Sequence, residues 1–231
     1  MGVVVSGNYA YVGDWNSGFR VINIADVAAA TLSGTCDTPG VAVGIAVSGA
    51  YAYVGDQGSG LQVINIINAS APTLAGFFDT LGNSLGVAVS GAYAYVADGN
   101  SGLQVINVAN AAVPSVAGTC DTSGTARGVP VSGGYAYVGD DTAGLHIIGI
   151  VNAAAPTRVG TFNTPGSAEG IAVSGNYVFV VDHNSVQIIN IVNAALPTRV
   201  GSFETTGTSS NIALSGVYAY VAEQTGGLVI V

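Results

Sequence analysis

The tripeptide Val-Ser-Gly, or a near copy, recurs with its serine at Ser6, Ser48, Ser90, Ser132, Ser174 and Ser215, at intervals of 42, 42, 42, 42 and 41 residues. A fixed period of this length marks a propeller, a solenoid or a similar array, in which each unit needs its neighbours to cover its apolar surface. The chain has 231 residues, or five and a half such units. We read it as a single domain over 1–231, with units 2–43, 44–85, 86–127, 128–169, 170–210 and a partial unit 211–231.

The unit from Gly44 to Leu85 shows what is repeated. Four short apolar runs follow one another: Gly44 to Ser48 (a), Tyr51 to Val54 (b), Leu61 to Ile66 (c) and Thr73 to Phe78 (d). Each is rich in Val, Ile, Tyr and Phe, and Gly, Asn, Asp, Ser and Pro punctuate them at spacings of about ten residues, the signature of consecutive antiparallel strands. Alternation is weak, because Tyr51 and Tyr53 oppose Ala52 and Val54. A sheet apolar on both faces must be covered on both faces. Blades around an axis meet that need. The expected fold is therefore all-β: a six-bladed β-propeller of four-stranded antiparallel blades. Pro130 stands where four of the other units have Ala46, Ala88, Ala172 and Ala213 in run a. Proline is confined mainly to edge strands, so run a is expected to be the innermost strand of its blade. The last unit ends at Gly227-Leu228-Val229-Ile230-Val231, in run c. Its blade should have three strands, the ring should close on it, and run c should be an exposed edge open to strand addition.

Composition excludes several functions. Hydrophobic residues make up 49% and charged residues 7%, so the chain can bury a core and is not of the disordered class. There is no Lys; the four cations are Arg20, Arg127, Arg158 and Arg199, against 13 acids. A nucleic-acid partner would need a basic footprint, and lysine Schiff-base chemistry or a Walker phosphate loop would need Lys. No apolar run reaches membrane-spanning length, so no membrane insertion is expected. Nothing at the start reads as a signal peptide.

The units carry Tyr-Ala-Tyr-Val-Gly-Asp, then Gly-Leu-Gln-Val-Ile-Asn-Ile, then Pro-Thr-x-x-Gly-x-x-Asp-Thr-Pro-Gly. This pattern resembles the LVIVD-repeat proteins, bacterial and archaeal β-propellers often found in secreted or cell-surface proteins. The resemblance spans the whole chain and implies an extracellular or cell-surface location. It implies no catalytic residues and no cofactor. The chain departs from the family at Asn23, Asn65, Asn107, Gly149 and Asn190, where the family usually has Asp.

Corresponding residues of a propeller lie on rings. Asp14, Asp56, Asp98, Asp140, Asp182 and Glu223 all fall in the b–c turn, and Asp37, Asp79, Asp121 and Glu204 at the end of run d, with Asn163 completing that set. The b–c and d–a connections emerge on one face, so 10 of the 13 acids should crowd it. Asp also favours turns through bonds to backbone N–H groups, which alone accounts for its presence there. The functional reading is an acidic face for a basic partner, a protein or a glycan. No loop has the ligand spacing of a calcium site, and no metal is expected.

Just before run a stand Val43, Leu85, Arg127, Glu169 and Ser210, a ring expected at the channel mouth on the acidic face. An Arg127–Glu169 salt bridge between neighbouring blades is the plain expectation; a pocket for a small polar ligand is the functional one. Trp15 is expected to pack at a blade junction. His146 and His183 lack an orienting third group, so no catalytic residue is assigned. Cys36 and Cys120 lie two units apart, too far for a disulfide, and read as small apolar fillers. The chain is thus expected to be a non-catalytic binding or scaffold module. The alternatives are a propeller hydrolase or lyase with a channel-mouth site, and a self-assembling, engineered or recently amplified repeat protein without a ligand, associating through its unfinished blade.

Overall fold

A computed structural model describes residues 2–231. Blade 1 comprises β1 (Gly2–Ser6), β2 (Tyr9–Gly13), β3 (Phe19–Asn23) and β4 (Thr31–Cys36). Blade 2 holds β5 (Gly44–Ser48), β6 (Tyr51–Gly55), β7 (Leu61–Asn65) and β8 (Thr73–Phe78), and blade 3 holds β9 (Gly86–Ser90), β10 (Tyr93–Ala97), β11 (Leu103–Asn107) and β12 (Ser115–Cys120). Blade 4 holds β13 (Val131–Ser132), β14 (Tyr135–Gly139), β15 (Leu145–Gly149) and β16 (Thr157–Phe162). Blade 5 holds β17 (Ala168–Ser174), β18 (Tyr177–Asp182), β19 (Ser185–Asn190) and β20 (Thr198–Glu204). Blade 6 has three strands, β21 (Ser209–Ser215), β22 (Tyr218–Glu223) and β23 (Gly227–Ile230). Each sheet pairs its strands in sequence order, antiparallel throughout, as a six-bladed propeller requires.

Strand a is an edge of every blade. Pro130 shortens β13 to two residues, yet its carbonyl still accepts the Tyr137 N–H at 3.0 Å. The proline removes the N–H that would donate to the Tyr137 carbonyl of this directly opposed pair, so one ladder bond is lost, which an edge strand tolerates better than a central one. In the complete blades strand d carries a register shift opposite the middle of strand c, as between Val63 and Ile64, which bends its outer end.

The core lies between blades. Tyr53, Leu61 and Val63 on one face of blade 2 pack against Ala94, Val96 and Ile106 of blade 3, while Ala52, Val54 and Ile64 on its other face pack against Tyr11, Phe19 and Val21 of blade 1. Both faces of a middle blade are thus consumed, which explains the weak alternation in sequence. Corresponding clusters join blades 3 and 4, 4 and 5, and 5 and 6.

Among the described residues no such cluster joins blade 6 to blade 1. Val3 and Val5 are 63% and 62% exposed on the outward face of blade 1, and Leu228 and Ile230 are 61% and 56% exposed on that of blade 6. The expected closed ring therefore lacks a packed sixth seam. One substitution follows the same line. Gly2, Gly44, Gly86, Gly128 and Gly170 open strand a where the backbone of the next blade passes close by, and the equivalent residue in blade 6 is the exposed Asn211.

Candidate functional site

The b–c turns have one construction. In blade 2 the Asp56 N–H donates to the Gly60 carbonyl at 2.9 Å and the Ser59 N–H to the Asp56 carbonyl at 3.0 Å. The second turn residue is left-handed: Trp15, Gln57, Asp141 and His183 have φ of 51°, 45°, 50° and 61°, and the equivalent Gly99 has 57°. Only glycine adopts that conformation without strain. From it the backbone forms a two-bond bridge to the strand-a approach of the following blade, pairing Trp15 with Ala42, Gln57 with Ser84, Gly99 with Ala126 and Asp141 with Ala168.

The turn carboxylates face the preceding blade. Asp56 accepts the Thr38 hydroxyl at 2.7 Å and the Gly40 N–H at 2.7 Å. Asp98 accepts Thr80 Oγ1 at 2.6 Å, the Gly82 N–H at 2.9 Å and Ser84 Oγ at 3.1 Å. Asp140 holds Thr122 and Gly124 in the same way, each at 2.7 Å, and Asp182 takes the Gly166 N–H at 2.8 Å. In blade 6 Glu223, one methylene longer, receives the Thr206 N–H at 3.0 Å and the Thr206 hydroxyl at 2.9 Å. Each acid is thus a latch closing the d–a connection of one blade onto the b–c turn of the next. The glycine two residues after the threonine is needed for the approach, because a Cβ on Gly82 would collide with the Asp98 carbonyl.

Asp56, Asp98, Asp140, Asp182 and Glu223 are all buried. This corrects the expectation that the b–c turn acids present an acidic face. Asp14 alone is half-exposed, and it pairs with Arg20 Nε at 2.6 Å. The exposed acids of that rim are Asp37, Asp79, Asp121 and Glu204, beside Asn163.

Burial pushes Asp98 above the ordinary carboxylate range, against the lowering effect of its Thr80, Gly82 and Ser84 bonds. Asp56 and Asp182 are raised for the same reason. Asp140 differs: burial again acts to raise it, but His146 and the Thr122 bond outweigh that and hold it low. His146 Nε2 sits 3.1 Å from Asp140 Oδ2, both side chains buried, within ion-pair distance but off the hydrogen-bond line. His183 is exposed in the turn of blade 5, so the two histidines do not share a site.

Val43, Leu85, Arg127, Glu169 and Ser210 are all half-buried. They do form a ring of successive blades: their carbonyls are what approach the glycines at the start of the preceding strand a. The expected Arg127–Glu169 bridge is not formed. Arg127 instead meets Asp141 Oδ2 at 3.1 Å, because Asp141 occupies the left-handed turn position that projects toward the approach to strand a. Trp15 holds the same position in blade 1 and is 55% exposed, so it does not pack in a junction. Cys36 and Cys120 are free, half-buried thiols on the face that meets the next blade. Among the described residues no three His, Cys, Asp or Glu side chains converge as metal ligands would.

Five latched junctions between repeated four-stranded blades define a tandem-repeat propeller. The LVIVD repeat pattern matches six times, at residues 1–38, 39–80, 81–122, 123–164, 165–205 and 206–231. The chain belongs to the LVIVD-repeat family. Its asparagines keep the local role open to the family's aspartate: Asn23, Asn65, Asn107 and Asn190 each accept the N–H two residues on, at 2.9 to 3.0 Å. A comparison with the curated proteins finds no match. Among solved structures, a functionally unknown protein from Desulfotomaculum acetoxidans aligns at 16% identity and a TM-score of 0.80, over 97% of this chain and 79% of its own. A protein from Lactobacillus plantarum aligns at 15% identity and 0.80, over 96% and 80%. The periplasmic gluconolactonase PpgL of Pseudomonas aeruginosa aligns at 15% identity and 0.78, over 94% and 75%. At such identities the likeness is one of fold.

Proposed function

We propose that this chain is a non-catalytic binding or scaffold module of the cell surface or exterior, with a basic protein as the partner of its acidic rim. The observation that carries this reading is how its acids are used. Five of the six b–c turn acids are buried in bonds between blades, and of their oxygens only Asp182 Oδ2 has no hydrogen-bond partner. That leaves Asp37, Asp79, Asp121 and Glu204 exposed on one rim. Exposed charges of one sign steer and hold partners of the opposite sign, and they do so less as salt rises.

The test is a pull-down and titration with cationic proteins at low and physiological salt, on the chain and on the Asp37→Asn, Asp79→Asn, Asp121→Asn, Glu204→Gln variant. Salt-sensitive binding that the variant loses supports the reading. Binding that survives the four substitutions removes it. A lactone-hydrolysis assay runs beside it, because one structure of the same fold is a gluconolactonase. Turnover there would replace the non-catalytic reading with an enzymatic one.

A further inference from the structure

The seam between blades 1 and 2 joins two complete four-stranded sheets. On the face of the a–b and c–d turns, opposite the acidic rim, it opens into a cleft of about 640 Å³. Tyr9, Tyr11 and Ser33 of blade 1 line one side, and Ala50, Asn68 and Ser70 of blade 2 belong to the other. Small-molecule sites span about 300–1,000 Å³, so the cleft has the size of one. The tyrosine pair recurs in the next three blades as Tyr51 and Tyr53, Tyr93 and Tyr95, and Tyr135 and Tyr137. The serines do not recur. Ser33 stands where the other complete blades have Ala75, Ala117, Val159 and Val200, and Ser70 where they have Ala28, Ala112, Ala154 and Ala195.

Two apolar positions in different repeats thus carry a hydroxyl, and they are the two that meet across this one seam. The c–d turn of blade 2 brings them together: a Cβ on Gly34, the neighbour of Ser33, would lie 3.0 Å from the Ser70 carbonyl carbon. Ser70 Oγ donates to Asn68 Oδ1 at 2.8 Å, and the Ser70 N–H reaches the same oxygen at 3.1 Å. The Ser70 oxygen keeps lone pairs with which to accept, and the Asn68 amide hydrogens remain to donate. Among the described residues no Asp, Glu, Arg or His lines the cleft. An anion would find no cation there, and a cation no carboxylate. An aromatic wall faced by hydroxyl and amide groups suits an uncharged ligand with one apolar face and a rim of hydroxyls. A pyranose ring has that form, with C–H groups on its face and hydroxyls at its edge.

We propose that the cleft between blades 1 and 2 is a binding site for a neutral saccharide. One pyranose packs its C–H face on the Tyr9 ring, and its hydroxyls bond Ser33 Oγ, Ser70 Oγ and the Asn68 amide. The tyrosines supply contact area, as they could in the neighbouring seams. The two serines make this seam the selective one. The site lies on the face away from Asp37, Asp79, Asp121 and Glu204, so it does not depend on the partner proposed for that rim.

The probes are maltose, cellobiose, lactose and chitobiose, titrated into the 15N-labelled full chain and followed by amide NMR. Expected is saturable binding of at least one of them, with a Kd of about 10 mM or tighter and shifts centred on Ser33, Ala50 and Ser70. The Ser33→Ala, Ser70→Ala double variant installs the alanine pair of the next two seams, so it should fold, and it should bind about tenfold more weakly. A disaccharide containing glucuronic acid should also bind at least about tenfold more weakly than its neutral counterpart. Hexasaccharides of the same sugars separate the sources: tighter binding than the disaccharide marks a polymer chain as the ligand, and equal binding marks the free sugar. No saturation by any of the four up to about 50 mM overturns the proposal. Undiminished binding by the double variant, equal binding of the acidic sugar, or shifts centred elsewhere overturn it as well.

Discussion

Replacing Asp98 by Ala tests whether the inter-blade latch holds the array together. The carboxylate accepts Thr80 Oγ1, the Gly82 N–H and Ser84 Oγ. The two hydroxyls lie 2.9 Å apart and can bond each other when it is gone. That leaves one hydroxyl hydrogen and the Gly82 N–H without an acceptor in a buried seam. Each stranded donor costs about 1–3 kcal/mol. Against this, burial raises the pKa of Asp98, so the variant also escapes part of a desolvation cost. The net loss is about 3 kcal/mol, or about 6–12 °C in Tm for a domain of this size. Asp98→Asn keeps one carbonyl for the hydroxyls but turns its amide on the Gly82 N–H, and should lose about 1–2 kcal/mol. Asp14 supplies the control. It holds the same repeat position but is half-exposed and paired only with Arg20, so Asp14→Ala should cost at most about 1 kcal/mol. Calorimetry gives the Tm values, and amide exchange at Gly82 reports the seam itself. If Asp98→Ala and Asp14→Ala lower Tm equally, the latch does not stabilise the fold and the account fails.

Acid should separate the latches by sign. Asp140 is held below the ordinary aspartate value, so it contributes stability that is present above that value and lost as pH falls through the folded one. Asp98 is raised, so protonation in the folded state begins first, and acidification reduces its cost. The advantage of wild type over Asp140→Asn should therefore shrink on acidification, while its advantage over Asp98→Asn should not, in thermal melts from about pH 5 to 3. Gly82→Ala should lower stability by about 1–3 kcal/mol, because its Cβ collides with the Asp98 backbone, and thermal denaturation checks it. Gln57→Gly should raise Tm by a degree or two, since it removes a left-handed strain of about 1 kcal/mol less the entropy cost of glycine; an unchanged or lower Tm would show that Gln57 earns its place through contacts.

The repeat made the fold legible. One period located every strand, and Pro130 fixed which strand is the inner edge. The ring of turn acids was also placed in sequence, but its exposure was misjudged, because a residue type shows where charge lies and not what it bonds. A signal for the partner was there: Thr38 and Gly40 precede Asp56 by 18 and 16 residues, and the same spacing recurs at Thr80 and Gly82 before Asp98. Arg127 was misassigned for a different reason. Strand pattern points toward the neighbouring blade at Glu169, whereas the left-handed turn swings Asp141 across the path. The same backbone geometry turns Trp15 outward.

The open seam between blades 6 and 1 changes the mechanics of the disc. A closed ring has a fixed circumference, and widening it must break a junction. With five packed seams and two free faces, the blades form a split washer. Among the described residues the arc is held by five packed and latched seams, so its stiffness rests on those junctions one by one.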